Sequence, residues 1–170
     1  MPEWDELVDR HARLVFGVAY RITGSVHDAE DVAQDAFREA FEQAPRGRVT
    51  DWGGFLRRVA AFRAIDVVRR RRSEPRDPWQ PSPKPGPVAE CEARELAERV
   101  RGALGELPRQ AATVFALTFF EQLPRDEVAA TLSMTPQAVS VALFHARRRL
   151  ERILFHKPPK DVSICHERKS

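Results

Sequence analysis

Two neighbouring stretches of this 170-residue chain carry opposite charge. From Asp28 to Glu42 there are six acids (Asp28, Glu30, Asp31, Asp35, Glu39 and Glu42) against Arg38 alone. From Arg46 to Arg72 there are nine arginines, against only Asp51 and Asp66. A row of carboxylates suits a basic surface, whereas guanidinium forks suit phosphate. The pair of stretches therefore points to two partners, one basic and one anionic. Trp52, Phe55 and Phe62 interleave with Arg57, Arg58 and Arg63. Arginine can hold phosphate while an aromatic ring stacks on an unpaired base. The same composition also allows Phe55 and Phe62 to be core residues. Arg69 to Arg72 could then be a solvated helix end, since cations favour a helix C-terminus.

A second candidate chemistry lies in "RDEVAATLSMTPQAVSVALFHARRRL", which has helix-turn-helix spacing. Val128, Ala129 and Leu132 are the inward residues of its first helix, and Met134 packs the turn. Val139, Leu143, Ala146, Leu150 and Ile153 step by three or four along the second. Gln137, Ser140, Val141 and Phe144 face outward at the end that enters the major groove in DNA-binding versions. Gln137 suits an adenine edge, and Val141 or Phe144 a thymine methyl. Arg147, Arg148 and Arg152 lie where phosphates would pass, contacts that position without specifying sequence. A plain helical hairpin with a solvated arginine end has the same spacing.

An enzyme reading starts from His27-Asp28 with Asp31 and Asp35, a pattern similar to the His-Asp pair of helical metal-dependent phosphohydrolases. Such a site needs several more His and Asp ligands. The other histidines are His11, His145, His156 and His166, and the last three follow a proline-rich stretch. Cys165-His166 is a weaker candidate still. No glycine-rich phosphate loop or nucleophile motif is present. No catalytic residue, metal site or cofactor is therefore assigned.

The elements that must position these residues read as helices. Trp4, Leu7, Val8, His11, Leu14, Val15, Val18, Ala19 and Ile22 recur at helical steps. Gly24 breaks the pattern, and Ser25 with Asp28 resembles a capping box. Ala29, Val32, Ala33, Ala36, Phe37, Ala40 and Phe41 form the apolar stripe of the acidic helix. A third helix is expected from Trp52 to Arg72, with Phe55, Val59, Phe62, Ile65 or Asp66, and Val68 or Arg69 near one stripe. Then come Pro75, Pro78, Pro81, Pro83, Pro85 and Pro87, a semi-rigid spacer. Beyond it Leu96, Val100, Ala103, Leu104 and Leu107 should be the buried side of a helix, and Pro108 opens the next. Thr135 is the expected N-cap of the last helix and Pro136 suits its first position. No valine- or isoleucine-rich alternation predicts a sheet.

The expectation is an all-α fold of two small helical domains joined by a Pro-rich linker. The boundaries are 1–72, 73–89 for the linker, 90–155, and 156–170 for a polar tail. Two cysteines make no framework, so a reducing cytoplasm is expected. The N-terminus lacks a signal-peptide pattern, and no apolar stretch approaches spanning length, so no membrane insertion is expected.

Three segments together resemble a known family. "SVHDAEDVAQDAFREAF" is similar to the acidic helix of bacterial RNA polymerase sigma factors of the extracytoplasmic-function group within the sigma-70 family. "FLRRVAAFRAIDVVRRRR" resembles its promoter-melting helix. "ALGELPRQAATVFALTFFEQLPRDEVAATLSMTPQAVSVALFHARRRLERIL" resembles its second domain. The likeness runs from about Leu7 to Leu154. It implies that Asp31, Gln34, Asp35 and Glu39 dock on the clamp of core RNA polymerase. It implies that Arg57, Arg58, Arg63, Asp66, Arg69 and Arg70 engage the minus-10 element of promoter DNA. It also implies that the second domain reads the minus-35 element, where Gln137, Ser140, Val141, Phe144, His145, Arg147 and Arg148 are the candidates. An anti-sigma factor is a further implied partner.

The chain departs from the family pattern at several positions. Phe55 stands for a tryptophan and Phe62 for an asparagine, with Trp52 or Phe62 as substitutes in base capture. Ser133 stands for the turn glycine and Pro124 for a serine cap. His145, Ser140 and Ala142 stand where basic residues are frequent, which implies a weaker minus-35 contact or a different preference there. The rival readings are a stand-alone helix-turn-helix regulator and, more remotely, the metal phosphohydrolase.

Overall fold

A computed structural model of the chain describes residues 3–47, 49–73 and 88–156. Seven α-helices account for most of them: α1 Trp4–Thr23, α2 Val26–Gln43, α3 Trp52–Ser73, α4 Val88–Leu104, α5 Arg109–Phe119, α6 Arg125–Leu132 and α7 Pro136–His156. A single 3-10 turn, Ala44–Arg46, follows α2. No strand occurs among the described residues, in keeping with the expected all-α fold. The prolines of the expected spacer and most of the polar tail lie outside the described residues.

Local chemistry explains where the helices begin and end. Gly24 takes the left-handed conformation at φ 68°, and its amide donates to the Tyr20 carbonyl, closing α1. Ser25 then caps α2, its Oγ accepting from the Asp28 amide at 3.3 Å, as the spacing predicts. Asp51 performs the same task for α3, with the Gly54 amide donating to Oδ1 at 3.1 Å. Thr135 caps α7 through the Ala138 amide at 3.1 Å. Pro108 precedes α5 as its N-cap rather than lying inside it.

The first three helices pack around Val15, Val18, Ala19 and Ile22 of α1, Ala29, Val32, Ala36 and Ala40 of α2, and Leu56, Ala60, Ala64 and Ile65 of α3. Alanine dominates the facing stripes, which lets the helix axes approach closely. Thr23 is fully buried, and its hydroxyl donates to the Ala19 carbonyl at 2.9 Å, so no donor is stranded. The last four helices pack around Leu104, Leu107, Val114, Leu117, Val128, Val139, Ala146 and Leu150. These two helical units touch each other. α3 packs against α4, α5 and α6, and the buried residues of both units form one cluster. The close approach of α3 is possible because Gly105 follows α4: a Cβ there would stand 3.3 Å from the Val68 carbonyl oxygen.

Three expected core residues are exposed. Leu96 is 55% exposed because α4 buries only its last turns, at Ala103 and Leu104. Phe41 is 59% exposed and rests on the Trp4 ring, 4.9 Å between centroids, at the rim of the α1–α2 contact. Val8 is also exposed, at the margin of its stripe.

Ser133 occupies the left-handed position at the end of α6, with φ 53°. Its amide donates to the Ala129 and Ala130 carbonyls, so the turn's hydrogen bonds come from backbone. A left-handed L-residue costs roughly 1–2 kcal/mol, of which glycine's extra freedom in the unfolded chain takes back about 0.4–1 kcal/mol. Ser133→Gly should therefore stabilise the chain by about 0.5–1 kcal/mol, read as a raised urea midpoint at unchanged slope.

Candidate nucleic-acid interface

The acidic and basic stretches meet. α2 and α3 flank a groove of about 410 Å³, with Asp31, Gln34 and Asp35 on one wall and Arg63, Arg70 and Arg71 on the other. α2 buries its alanine stripe and so turns the acids away from the core. Asp31 and Gln34 are exposed, and Asp35 is half-buried beside Arg38 at 2.9 Å. His27 stands 3.6 Å from Asp31. Glu39, the fourth candidate for polymerase docking, reaches across to Arg63 at 3.0 Å. That hydrogen bond raises the Arg63 pKa above its ordinary value, against a smaller lowering by burial. One candidate from each class is thus paired with the other.

The four closing arginines divide. Arg71 is a structural tie: its Nη1 donates to the Thr23 carbonyl at 2.9 Å and it pairs with Asp28 at the start of α2. Burial lowers its pKa from the ordinary value, with Arg101 adding to the effect. Arg72 lies 3.4 Å from Glu106 of the second unit. Arg69 and Arg70 are exposed, with no acid paired to them among the described residues. These two are the ones free to meet phosphate.

The aromatic candidates also separate. Trp52 sits half-buried between Trp4 and Phe55, with centroids at 6.2 and 5.9 Å. Arg58 lies over the Phe55 ring at 5.6 Å. Arg57 is half-buried, with its Nε enclosed and without a hydrogen-bond partner. Ten residues of helix, about 15 Å, separate Trp52 from Phe62, so the two rings cannot serve one base. Phe62 and Asp66, one turn apart, are engaged by a single residue that sequence reasoning missed. The Arg109 guanidinium lies 4.4 Å over the Phe62 ring and donates two hydrogen bonds to Asp66, each 2.8 Å. The sequence separation of 43 between Arg109 and Asp66 leaves no local signal for that contact.

The second unit presents a separate face. α6 and α7 form the expected helix-turn-helix, with Val128, Ala129, Val139, Ala146 and Leu150 inward. Gln137, Ser140, His145, Arg147 and Arg148 are exposed, as are Val141 at 56% and Phe144 at 55%. Exposed apolar side chains beside a polar glutamine suit methyl and base-edge contacts in a major groove. Phe144 is held edge-on by His145 and covered by Arg148 at 5.6 Å. Arg147 lies over Phe119 of α5 at 5.1 Å. The Ser140 hydroxyl donates back to the Pro136 carbonyl at 3.1 Å, which commits its proton to the helix. Among the described residues no group of three His, Cys, Asp or Glu stands close enough together to hold a metal ion.

Comparison with known proteins covers both units. The pattern for Sigma-70 region 2 matches residues 7–74, and that for Sigma-70 region 4 matches residues 97–150. The ECF RNA polymerase sigma factor SigE of Mycolicibacterium smegmatis is 33% identical over 160 residues, covering 91% of this chain and 62% of that protein. This chain therefore spans less than two thirds of that relative. SigW of Bacillus subtilis is 23% identical, over 88% of this chain and 87% of its own length. Among solved structures, CnrH in complex with the cytosolic domain of CnrY superimposes with a TM-score of 0.57 at 23% identity, over 91% of this chain and 89% of that one. The sigma factor RpoE of Bartonella quintana, in complex with the anti-sigma factor NepR, gives 0.53 at 14% identity, over 88% and 95%. At those identities the structures bear on the fold, while the sequence patterns bear on descent. The chain belongs to the sigma-70 family, in its extracytoplasmic-function group.

Proposed function

We propose that the chain binds core RNA polymerase and directs promoter recognition, DNA melting and transcription initiation. The observation that carries this reading is the α2–α3 groove, where an acidic wall faces an arginine-bearing one on the same chain as an exposed helix-turn-helix face. The acids of α2 suit a basic protein surface, and the arginines of α3 suit a DNA strand. Residues 1–72 dock on polymerase and take the minus-10 element, and residues 90–155 take the minus-35 element. Residues 73–89 set the reach between them, and 156–170 form a tail without an assigned task.

Asp31, Gln34, Asp35 and Glu39 are the docking residues. Arg57, Arg58, Arg63, Asp66, Arg69 and Arg70, with Trp52 and Phe62, serve the minus-10 element. Gln137, Ser140, Val141, Phe144, His145, Arg147 and Arg148 serve the minus-35 element. The chain acts without a cofactor and without catalysis of its own, in the cytoplasm. No helix among the described residues is long and apolar enough to cross a membrane. Both solved neighbours are bound to partner proteins, one of them a named anti-sigma factor, and an anti-sigma factor is proposed here too.

Run-off transcription with core polymerase tests the reading directly: start-site-specific transcript should depend on adding the chain. A stand-alone regulator would instead bind its duplex tightly without polymerase. Asp31→Lys combined with Asp35→Lys should weaken core binding at least about tenfold while leaving helix content unchanged, since exposed ion pairs contribute little to stability. Unchanged core binding would refute the docking face. Arg69→Ala combined with Arg70→Ala should flatten the salt dependence of holoenzyme binding to promoter DNA, lowering the log–log slope by roughly 1.5.

A further inference from the structure

One arginine of α7 is held by a neighbouring helix. The Arg147 guanidinium lies 5.1 Å from the centroid of the Phe119 ring, across the contact between α7 and α5. Phe119 is the last residue of α5, where the negative end of the helix dipole favours a cation. The ring is itself braced. It packs on Phe115, one turn earlier, at 4.5 Å between centroids, and Phe115 meets Phe120 edge-on at 6.4 Å. Val114, Ala116 and Leu117 beside them are fully buried, so this aromatic group rides on the core of the second unit. The backbone beyond it is tied down as well. The Phe120 amide donates to the Ala116 carbonyl at 2.8 Å, and the Leu123 amide to the Leu117 carbonyl at 3.1 Å.

What the ring leaves free is what a phosphate needs. A guanidinium stacks by its face and donates hydrogen bonds from its edge, so the contact with Phe119 occupies no N–H group. Arg147 is exposed, and no acid is paired with it among the described residues. Arg149 and Arg152, exposed on the same helix, have no ring beneath them. Phe119 is 41% exposed, and an exposed phenylalanine alone is ordinary protein surface. Braced by Phe115 on one side and covered by an unpaired arginine on the other, it is a support.

We propose that Phe119 is a positioning residue for the minus-35 contact: it holds the Arg147 guanidinium with its edge toward a DNA phosphate beside the groove that α7 enters. The role in DNA binding rests on the promoter-binding reading above, whereas the support of Arg147 by the ring does not. An arginine held in advance loses less rotamer freedom when it meets DNA. Phosphate contacts position without specifying sequence. Phe119 therefore sets affinity and leaves base preference to Gln137, Val141 and Phe144. The end of α5 serves the minus-35 contact without itself touching DNA.

The test uses holoenzyme, the full-length chain with core polymerase, on a promoter duplex taken from a run-off start site. Phe119→Leu should weaken binding about two- to tenfold, the range for freeing one ordered side chain. Its salt dependence should keep the parent slope, because the charge is still present. Arg147→Ala should weaken binding at least as much and lower the log–log slope by roughly 0.9. The double variant should be no weaker than Arg147→Ala alone, since the ring then has nothing to hold. Phe119→Trp keeps an aromatic face and should bind like the parent. The support is also read without DNA, in the NMR spectrum of the free chain. The Arg147 side-chain protons should show an upfield ring-current shift that Phe119→Leu abolishes. Phe119→Leu binding as tightly as the parent, or losses that simply add in the double variant, would overturn the proposal. A parent holoenzyme that binds no promoter while the ring-current shift is present would overturn the promoter reading, and the DNA role of Phe119 with it. Should Phe119→Leu fail to fold by circular dichroism, Phe119→Met carries the same expectations.

Discussion

A helix has a limited circumference, and α3 divides its own among three uses. One stripe, with Leu56, Ala60, Ala64 and Ile65 at its centre, is buried against α1 and α2. A second, around Val68 and the Phe62–Asp66 turn, meets α4 and α5. What is left to solvent is narrow, chiefly Arg63, Arg69 and Arg70. The rest of the structure follows from that division. The acids of α2 face outward because its alanines face α3, and the second unit is placed by what it finds on the other side of the same helix.

The ion pairs are of unequal character. Arg10–Glu6 and Arg38–Asp35 lie within single helices and in contact with solvent, the kind that contributes little. Arg21–Glu121 and Arg109–Asp66 are bidentate and join distant parts of the chain, and the Glu121 carboxylate is nearly sealed from water. A sealed carboxylate that lost its arginine would carry a desolvation cost with nothing to offset it. Such pairs fix geometry more than they add net stability.

Much of this was legible in the sequence where the determinants are local. Ser25 and Thr135 cap their helices as their spacing indicates, and the helix-turn-helix stripe turns inward at Val139, Ala146 and Leu150. Leu96 shows where local reasoning stops: periodicity identifies an apolar face but not whether anything lies against it. The arginine run is a second case. Its four members are identical in the sequence, yet Arg71 binds the α1–α2 turn, Arg72 faces the second unit, and Arg69 and Arg70 meet water. Only the direction each side chain leaves the helix separates them. Arg109 and Glu121 carried no signal at all, since their partners are 43 and 100 residues away.

Arg71 has one more effect. By gripping the Thr23 carbonyl and Asp28 it fastens the end of α3 to the α1–α2 turn, two residues before Ser73 closes the helix. The chain therefore leaves the first unit from a fixed origin. Helix resumes at Val88, and a polypeptide covers at most about 3.3–3.6 Å per residue. However far the halves are drawn apart, Ser73 and Val88 cannot exceed a span of about 50 Å. The molecule is in that sense a caliper with one jaw pinned, and the pin is a single guanidinium.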